Sequence, residues 1–285
     1  MSKAEPKKKY AIDELTTPQG YVGMLWDVGL RIRPDENIGK YALVWRDEFG
    51  SKGKLAVDHL KDARMVGDFR GNTTWTGLYE GVRVAVAATN WGSAAASVTV
   101  EELANIGVHT FIRFGTCGSL QSWLKLADLV IGEGCVRADG ASLEYMPPEY
   151  PAVCSLEVTR ALVDAAEKLG EKYYLGITRT HDAYFVETNE GMGDPTGGGG
   201  PRAFSHTERR LSRISTFARA GVLAVENEAA ATIVPARLRG LKCGAFFCVT
   251  GNMITNDEIL PGESERRVKS VLKIAFEAIK SLEKK

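Results

Sequence analysis

The chain has 285 residues, of which 44% are hydrophobic and 25% are charged, as is usual for a soluble globular protein. Lysine and arginine together number 36, as do aspartate and glutamate, so no global charge predicts a nucleic acid or an anionic membrane as partner. No apolar run approaches the roughly 20 residues that span a bilayer. The composition leaves only local positive sites, suited to a small anion.

The cysteines and histidines further limit the kinds of site that the chain can contain. The five cysteines show no C-x-x-C spacing, which predicts free thiols in a reducing, cytoplasmic compartment. The four histidines are scattered, and without metal-ligand spacing they predict no metal site.

The chain begins with a lysine-rich segment, residues 1–10, which no apolar signal region follows. We expect a disordered basic leader there and a single domain over residues 11–285. Residues 11–60 show no clear hydrophobic periodicity, and no element is predicted within them.

From residue 83 onward, apolar runs alternate with amphipathic segments. Strands are predicted over residues 83–89, 109–114, 128–136, 173–178, 222–225 and 242–250. Helices are predicted over residues 94–105, 155–169, 205–220, 228–239 and 263–282. This order predicts a single α/β domain with a central, mostly parallel mixed sheet flanked by helices.

A long loop is predicted over residues 186–206, where four glycines, Gly197–Gly200, follow one another. Loops of this length in compact domains are functional or disordered. The sequence favours neither a functional loop nor a mobile surface loop.

Ligands bind beyond the carboxyl ends of strands in open α/β sheets, and one predicted strand ends in a loop over Gly115–Gly118. These glycines would let backbone amides approach an anion, and Arg113 supplies a fork of donors suited to phosphate. A surface ion pair is the commoner explanation for an arginine at a strand end.

Two carboxylates, Glu226 and Glu228, flank Asn227 directly after the strand predicted over residues 222–225. Residues two apart on an extended segment face the same side, and a carboxylate can accept hydrogen bonds from both hydroxyls of a ribose diol. The alternative is a helix N-terminus, where acidic residues are favoured by the helix dipole.

Four segments together resemble the nucleoside phosphorylase family that contains uridine phosphorylase and the hexameric purine nucleoside phosphorylases. The pattern is closest to uridine phosphorylase and covers about residues 65–282. The segments read TNWGSAAASVTVEELANIGVHTFIRFGTCGS (89–119), VRADGASLEYMPPEYPAV (136–153), VENEAAA (225–231) and FRGNTTWTG (69–77).

The resemblance implies a pentosyltransferase that cleaves a nucleoside with inorganic phosphate, giving free base and ribose 1-phosphate. Phosphate is then a co-substrate, no cofactor is needed, and the enzyme is a homodimer or a trimer of dimers. The implied phosphate-binding residues are Arg46, Arg70, Arg113 and Thr116, with Arg70 reaching a neighbouring subunit. The implied ribose-binding residues are Thr89, Asn227 and Glu228, the base-binding residues are Gly115, Tyr184 and Asn252, and the catalytic residues are Arg113, Glu228 and Asn252.

These roles also predict how one variant should behave. Because Arg113 is expected at a strand end, Arg113→Ala should impair phosphate use far more than it destabilises the fold.

The chain departs from the family pattern at several positions. The early G-D-P-x-R phosphate loop is not evident, and the corresponding region reads VWRDEFG. The base-recognising Gln-x-Arg pair would fall near Thr188 and Glu190. Asn252 stands where purine enzymes have an aspartate, and an amide cannot deliver a proton to a departing base. A hydrolytic nucleosidase on the same fold and a non-catalytic nucleoside-binding relative therefore stay as alternatives, and the nucleobase is not assigned.

Overall fold

The computed structural model describes residues 29–33, 36–184 and 207–284. The predicted leader and the glycine-rich loop over residues 186–206 lie outside the described residues. The strands are β1 (Tyr41–Arg46), β2 (Lys61–Phe69), β3 (Asn72–Tyr79), β4 (Val82–Thr89), β5 (Thr110–Ser119), β6 (Leu129–Ala138), β7 (Ala152–Val153), β8 (Tyr173–His181), β9 (Ala224–Glu226) and β10 (Lys242–Asn252). The helices are α1 (Lys54–Val57), α2 (Ser93–Asn105), α3 (Gly140–Tyr145), α4 (Leu156–Lys168), α5 (Thr207–Arg219), α6 (Ala229–Leu238), α7 (Pro261–Val271) and α8 (Lys273–Glu283). In the described part of the chain, no helix is long and apolar enough to cross a membrane.

The ten strands form one mixed sheet. The parallel pairs are β1–β4, β1–β5, β5–β10, β6–β8 and β8–β9. The antiparallel pairs are β2–β3, β3–β4, β6–β10, β5–β9 and β6–β7. The predicted α/β domain with a mixed sheet between helices is confirmed.

The sheet closes on itself at one end. Strand β10 pairs with both β5 and β6, while β9 pairs with both β5 and β8. In the β5–β9 pair, Gly118 lies opposite Val225, so the end of β5 meets the segment that begins with Glu226. The closure therefore brings two of the predicted site segments together.

Both faces of the sheet are buried at β1, which explains why this strand is hard to predict. Ala42 and Val44 pack in the cluster that includes residues of α2 and α6. Leu43 and Trp45 pack in the cluster that includes residues of α4 and α8. Consecutive side chains of a strand point to opposite faces of the sheet. Because the side chains of β1 on both faces are apolar, its sequence does not alternate between apolar and polar residues.

Two tight hairpins join β2, β3 and β4, and they were not predicted. Each turn has two residues with positive φ, Arg70 (52°) with Gly71 (84°) and Glu80 (45°) with Gly81 (90°). Two such residues define the type I′ turn that suits the twist of paired strands. The Xaa-Gly pairs at these turns were the sequence signal for the hairpins.

Two other predictions are corrected. Strand β5 continues through Gly115–Gly118, predicted as a loop, because β10 pairs with it as far as Ser119. The single helix predicted over residues 263–282 is two helices, with Leu272 between them. Pro261 begins the first, at a position where its missing N–H costs nothing.

Candidate active site

A small cavity lies where the ends of β1, β5, β8 and β9 meet. It leaves about 50 Å³ for water, which is little beside the 300–1,000 Å³ typical of ligand sites, because the chain's own charged side chains fill it. The predicted site residues on its wall are Arg46, Arg113, Thr116, Tyr184, Asn227 and Glu228.

Arg113 lies in the middle of β5 and is only 1% exposed. Its Nη2 lies 2.5 Å from Oε2 of Glu228 and 3.9 Å from Oε2 of Glu226, and its Nη1 donates to the carbonyl of Phe114. Its Nε is buried and has no hydrogen-bond partner among the residues that the structure describes. Arg113 is therefore not a surface ion pair but the buried cation of the site.

This burial revises the expected behaviour of Arg113→Ala. Removing the guanidinium would leave two buried carboxylates without their cation, and breaking a buried ion pair costs about 3–5 kcal/mol. The variant should therefore lose stability as well as phosphate use.

Gly115 makes room for the guanidinium. A Cβ at this position would lie 2.7 Å from Nη2 of Arg113, closer than non-bonded heavy atoms can approach. Gly115 was predicted to contact the base, but it is not among the residues on the cavity wall. The structure gives it a steric role instead.

The two carboxylates of the β9 segment face the same side, as predicted, but they do different things. Oε2 of Glu226 accepts hydrogen bonds from the amides of Glu228 and Ala229, both at 2.8 Å, so Glu226 caps the start of α6. Oε1 of Glu228 instead accepts a hydrogen bond from the amide of Gly92 at 2.9 Å. The side chain of Glu226 thus caps the start of α6 and that of Glu228 does not, while both carboxylates line the cavity.

Burial raises the pKa of Glu226 to about 7. Desolvation is the main cause; the charge of Arg113 lowers the pKa, and the charge of Glu228 raises it again. Since one cation serves two buried carboxylates, Glu226 readily holds a proton.

The cavity wall also carries a residue, Glu48, that was not predicted from the sequence. Oε1 of Glu48 accepts hydrogen bonds from the amide and the hydroxyl of Thr116, at 3.2 and 2.8 Å. Nη2 of Arg46 lies 3.4 Å from the same oxygen. In this segment the resemblance implied a role only for Arg46, and no sequence pattern indicated Glu48.

Aromatic side chains stand at the mouth of the cavity. The ring of Tyr184 meets that of Trp91 edge to face, with centroids 4.9 Å apart, and the guanidinium carbon of Arg46 lies 4.1 Å from the Trp91 centroid. Trp91 is 51% exposed. Deeper in the cavity, the amide of Asn227 donates to the carbonyl of His181.

Asn252, predicted as a catalytic and base-binding residue, serves a different purpose. Its Nδ2 donates to the carbonyls of Gln121 and Leu124, and its Oδ1 accepts from the amides of Ile254 and Thr255. The side chain is buried and is not on the cavity wall. Its hydrogen-bonding capacity is used to join two loops.

Two further predicted residues lie outside the cavity. Thr89 lines a neighbouring cavity of about 310 Å³ that shares Arg46 and Glu48 with the first. Arg70 occupies the exposed turn between β2 and β3, with its guanidinium carbon 5.0 Å from the centroid of Phe69. Neither residue belongs to the wall that holds Arg113 and Glu228.

The thiol prediction is confirmed, since all five cysteines are buried and free. Cys117 lies on the cavity wall. Among the described residues, no group of three or more histidines, cysteines or acidic residues could hold a metal ion.

Comparison with known proteins identifies the family. The family model of the phosphorylase superfamily matches residues 47–281. The chain is 37% identical to a uridine phosphorylase of Thermococcus kodakarensis, over 78% of this chain and 75% of that protein. It is 30% identical to a guanosine phosphorylase of Halorubrum lacusprofundi, over 82% of this chain and 91% of that protein. It is also 30% identical to a uridine phosphorylase of Treponema pallidum, over 90% of this chain and 93% of that protein. The chain therefore belongs to the phosphorylase superfamily, and its identification from sequence as an enzyme of the pentosyltransferase class is confirmed.

Proposed function

We propose that this chain is a nucleoside phosphorylase, which cleaves the N-glycosidic bond of a nucleoside with inorganic phosphate to give free base and ribose 1-phosphate. One contact supports this most strongly, the 2.5 Å between Nη2 of Arg113 and Oε2 of Glu228. It joins the residue proposed for phosphate to the residue proposed for ribose. A phosphate oxygen that attacks C1′ must lie beside the sugar, so the two binding positions have to adjoin.

The proposed roles follow from what each group can donate or accept. The carboxylate of Glu228 accepts hydrogen bonds from the ribose 2′- and 3′-hydroxyls. The guanidinium of Arg113 and the amide and hydroxyl of Thr116 donate to phosphate, with Arg46 as a second cation. Asn227, on the wall beside Glu228, would pack under the sugar.

In the proposed reaction, positive charge develops on the sugar and is balanced by the bound phosphate. As the bond from C1′ to the base nitrogen breaks, its electron pair leaves with the base and the sugar becomes oxocarbenium-like. The bound phosphate stabilises this positive charge, and one of its oxygens bonds to C1′. The hydrogen bonds that Glu228 accepts from the ribose hydroxyls can strengthen in the same transition state. The base takes a proton from water, and the hydroxide that is left takes the proton that phosphate gives up as its oxygen bonds to C1′. Asn252 does not supply this proton, because its amide is no acid and lies off the cavity wall.

The base would lie against the aromatic residues at the cavity mouth, Tyr184 and Trp91, which offer a flat apolar surface. Relatives named uridine phosphorylase and guanosine phosphorylase both match over most of the chain. The proposal therefore covers pyrimidine and purine nucleosides alike. It requires no cofactor beyond phosphate as co-substrate, and it includes a homodimer or a trimer of dimers in which Arg70 serves a neighbouring subunit.

A hydrolytic nucleosidase is the second candidate, and one observation favours it. The donors of Thr116 hold the carboxylate of Glu48, a group that could accept a proton from an attacking water. In that reaction water would replace phosphate as the acceptor of the sugar.

Turnover of a panel of nucleosides separates the two candidates. The full chain is incubated with each ribonucleoside at several phosphate concentrations, and bases and sugars are separated by chromatography. We expect base release to require phosphate and to produce an equal amount of ribose 1-phosphate. Release at full rate without phosphate, with free ribose as product, would replace phosphorolysis by hydrolysis.

A further inference from the structure

The donors assigned to phosphate already hold an anion that the chain itself supplies. We propose that Glu48 competes with phosphate for the donors of Thr116 and Arg46, and that it thereby sets the phosphate concentration at which the enzyme works. The inference rests on the proposed function for its biological meaning, but the competition can be measured without turnover.

The donors around Glu48 converge as they would on a phosphate group. One carboxylate oxygen accepts from the amide and the hydroxyl of Thr116 and lies 3.4 Å from Nη2 of Arg46. The other oxygen accepts from Nε1 of Trp45 at 3.3 Å. A backbone amide, a hydroxyl and a guanidinium that meet on one oxygen form a typical anion site. The carboxylate thus stands in for an oxygen of the co-substrate.

The turn after β1 fixes Glu48 in this position. The carboxylate of the preceding residue, Asp47, accepts hydrogen bonds from the amide of Phe49, the hydroxyl of Ser51 and the amide of Gly53. These bonds hold the backbone so that the side chain of Glu48, 11% exposed, points into the cavity. Its place at the donors is therefore a property of the fold.

Phosphate and the carboxylate cannot use the same donors at once. Both are anions, and two like charges a few ångströms apart repel each other, the more so away from water. The cavity leaves only about 50 Å³ beside Glu48, so the carboxylate has to move for phosphate to enter.

The adjoining cavity gives the displaced carboxylate somewhere to go. It offers about 310 Å³, and its wall includes Glu48, Arg46 and Lys52. A rotated Glu48 would stay near Arg46 and approach the ammonium group of Lys52. The site would then have two states, one with Glu48 at Thr116 and one with phosphate there.

The size of the effect follows from the population of the open state. An apparent dissociation constant equals the intrinsic one divided by the competent fraction. If Glu48 occupies the donors in about 90–99% of molecules, its removal should tighten phosphate binding by about ten- to hundredfold.

Calorimetry with inorganic phosphate, without nucleoside, tests the competition directly. The proteins are the wild type, Glu48→Ala, Glu48→Gln and the control Glu80→Gln. Glu80 lies in the turn that precedes β4 and forms an ion pair with Lys280 of α8. The cavity lies beyond the other end of β4. The control therefore removes the same charge without touching the donors.

We expect both Glu48 variants to bind phosphate about ten- to hundredfold more tightly than the wild type, with Glu48→Ala showing the larger gain because an amide can still accept from Thr116. Glu80→Gln should match the wild type. Thermal melting confirms that each variant is folded, and the conservative Glu48→Gln provides the test if Glu48→Ala is not. Unchanged or weaker phosphate binding in a folded Glu48 variant would overturn the competition.

Base release, measured on the same proteins, keeps the two ideas apart. A wild type that releases base without phosphate, together with tighter phosphate binding by the Glu48 variants, would reject phosphorolysis and leave the competition standing. If the wild type requires phosphate and the Glu48 variants need as much phosphate as before, phosphorolysis would stand and the competition would be rejected. Loss of phosphate-independent turnover in variants whose phosphate affinity is unchanged would reject both and support hydrolysis through Glu48.

Discussion

The two walls of the cavity hold charge in different ways. One side, which we call the ribose side after the role proposed for Glu228, comprises Arg113, Glu226 and Glu228. Its side chains are 1–3% exposed, and its one cation, Arg113, which is also proposed to donate to phosphate, lies between two carboxylates. The acceptor side, Arg46, Glu48 and Thr116, is closer to solvent, with the Arg46 and Glu48 side chains 18% and 11% exposed. A buried ion cluster cannot lose one member cheaply, whereas partners nearer to water can be exchanged. The ribose side should therefore act as part of the fold, and the acceptor side as the adjustable part of the site.

The largest effect should follow from removing the cation of the ribose side. Arg113→Ala leaves Glu226 and Glu228 buried without a counter-charge, so the free energy of unfolding should fall by about 3–5 kcal/mol. Phosphate-dependent turnover should be lost together with stability. Urea unfolding and steady-state kinetics measure the two effects.

Arg46→Ala is the matched control on the acceptor side. Since Arg46 is partly exposed, its loss should cost at most about 1 kcal/mol of stability and should mainly change the KM for phosphate. Equal stability losses in the two variants would remove the distinction between the two walls.

Glu228→Gln should give the next largest effect, on turnover more than on folding, because Arg113 keeps the carboxylate of Glu226 as its counter-charge. The amide keeps the size of the side chain but offers one acceptor oxygen and an unwanted donor where the carboxylate offered two acceptors. A lost charge-assisted hydrogen bond costs about 1.5–3 kcal/mol, so kcat/KM on ribonucleosides should fall by about ten- to hundredfold.

The sugar itself provides the control for Glu228. On 2′-deoxynucleosides one hydroxyl partner is already missing, so the same substitution should cost less. The measurement is the ratio of wild-type to variant kcat/KM on a ribonucleoside and its deoxy counterpart. Ratios near one on both sugars, in a folded variant, would exclude Glu228 from ribose binding.

The ribose side is also the part of the cavity for which the sequence offered local patterns. Arg113 stood out because glycines follow it, and Glu228 because its spacing from Glu226 sets two carboxylates on one side of an extended segment. Both are local patterns, and the closed sheet then brings them together. The longer helices and six of the ten strands could be predicted for the same reason, because their apolar patterns are local, whereas α1, α3, β1, β2, β3 and β7 were not predicted.

On the acceptor side, Arg46 and Thr116 were predicted from the resemblance, but Glu48 was not, because its position depends on a contact between segments far apart in sequence. Glu48 reaches Thr116, 68 residues away, only because β1 lies beside β5 in the sheet. Strand β1 itself shows no alternating hydrophobic pattern, because both of its faces are buried. Asn252 is the opposite case, a predicted site residue whose side chain is occupied elsewhere. Its residue type suited a base contact, but only the structure shows that four backbone groups already use its amide.

The buried carboxylate of Glu226 predicts a pH dependence of stability. Its pKa is raised from 4.5 to about 7 in the folded chain, so the folded state binds the proton more tightly than the unfolded state. This contribution is fully present below pH 4.5 and is lost as the pH rises through 7. Unfolding free energy should therefore fall by about 1–2 kcal/mol between about pH 5.5 and 7.

Glu226→Gln isolates this contribution, because the amide does not titrate. The wild-type stability curve should slope downward over this interval, and the difference between the two proteins should reproduce the slope. A difference that is flat with pH, or that rises, would mean that Glu226 is ionised throughout and that the cation between the carboxylates outweighs burial.

The smallest expected effect concerns Arg70, which lies outside both walls. In the proposed homodimer, Arg70 serves the site of the neighbouring subunit, in keeping with its exposed place in the turn between β2 and β3. Arg70→Ala should then raise the KM for phosphate by about tenfold, the cost of about one hydrogen bond to a charged group. Light scattering at assay concentration should show a dimer or a multiple of it; an active monomer would exclude this role.

Mixing variants tests whether Arg70 acts across the subunit boundary. When Arg70→Ala and Glu228→Gln chains are co-expressed with separate tags, about half of the dimers contain one chain of each kind, and each of these has one complete site of two. Activity at low phosphate should therefore recover to about a quarter of the wild-type value. Thr116→Ala with Glu228→Gln is the control, since a chain supplies both of these residues to its own site and mixing repairs neither. Recovery in the first mixture alone would establish that each site borrows Arg70 from its neighbour, whereas equal activity in both mixtures would confine Arg70 to its own chain.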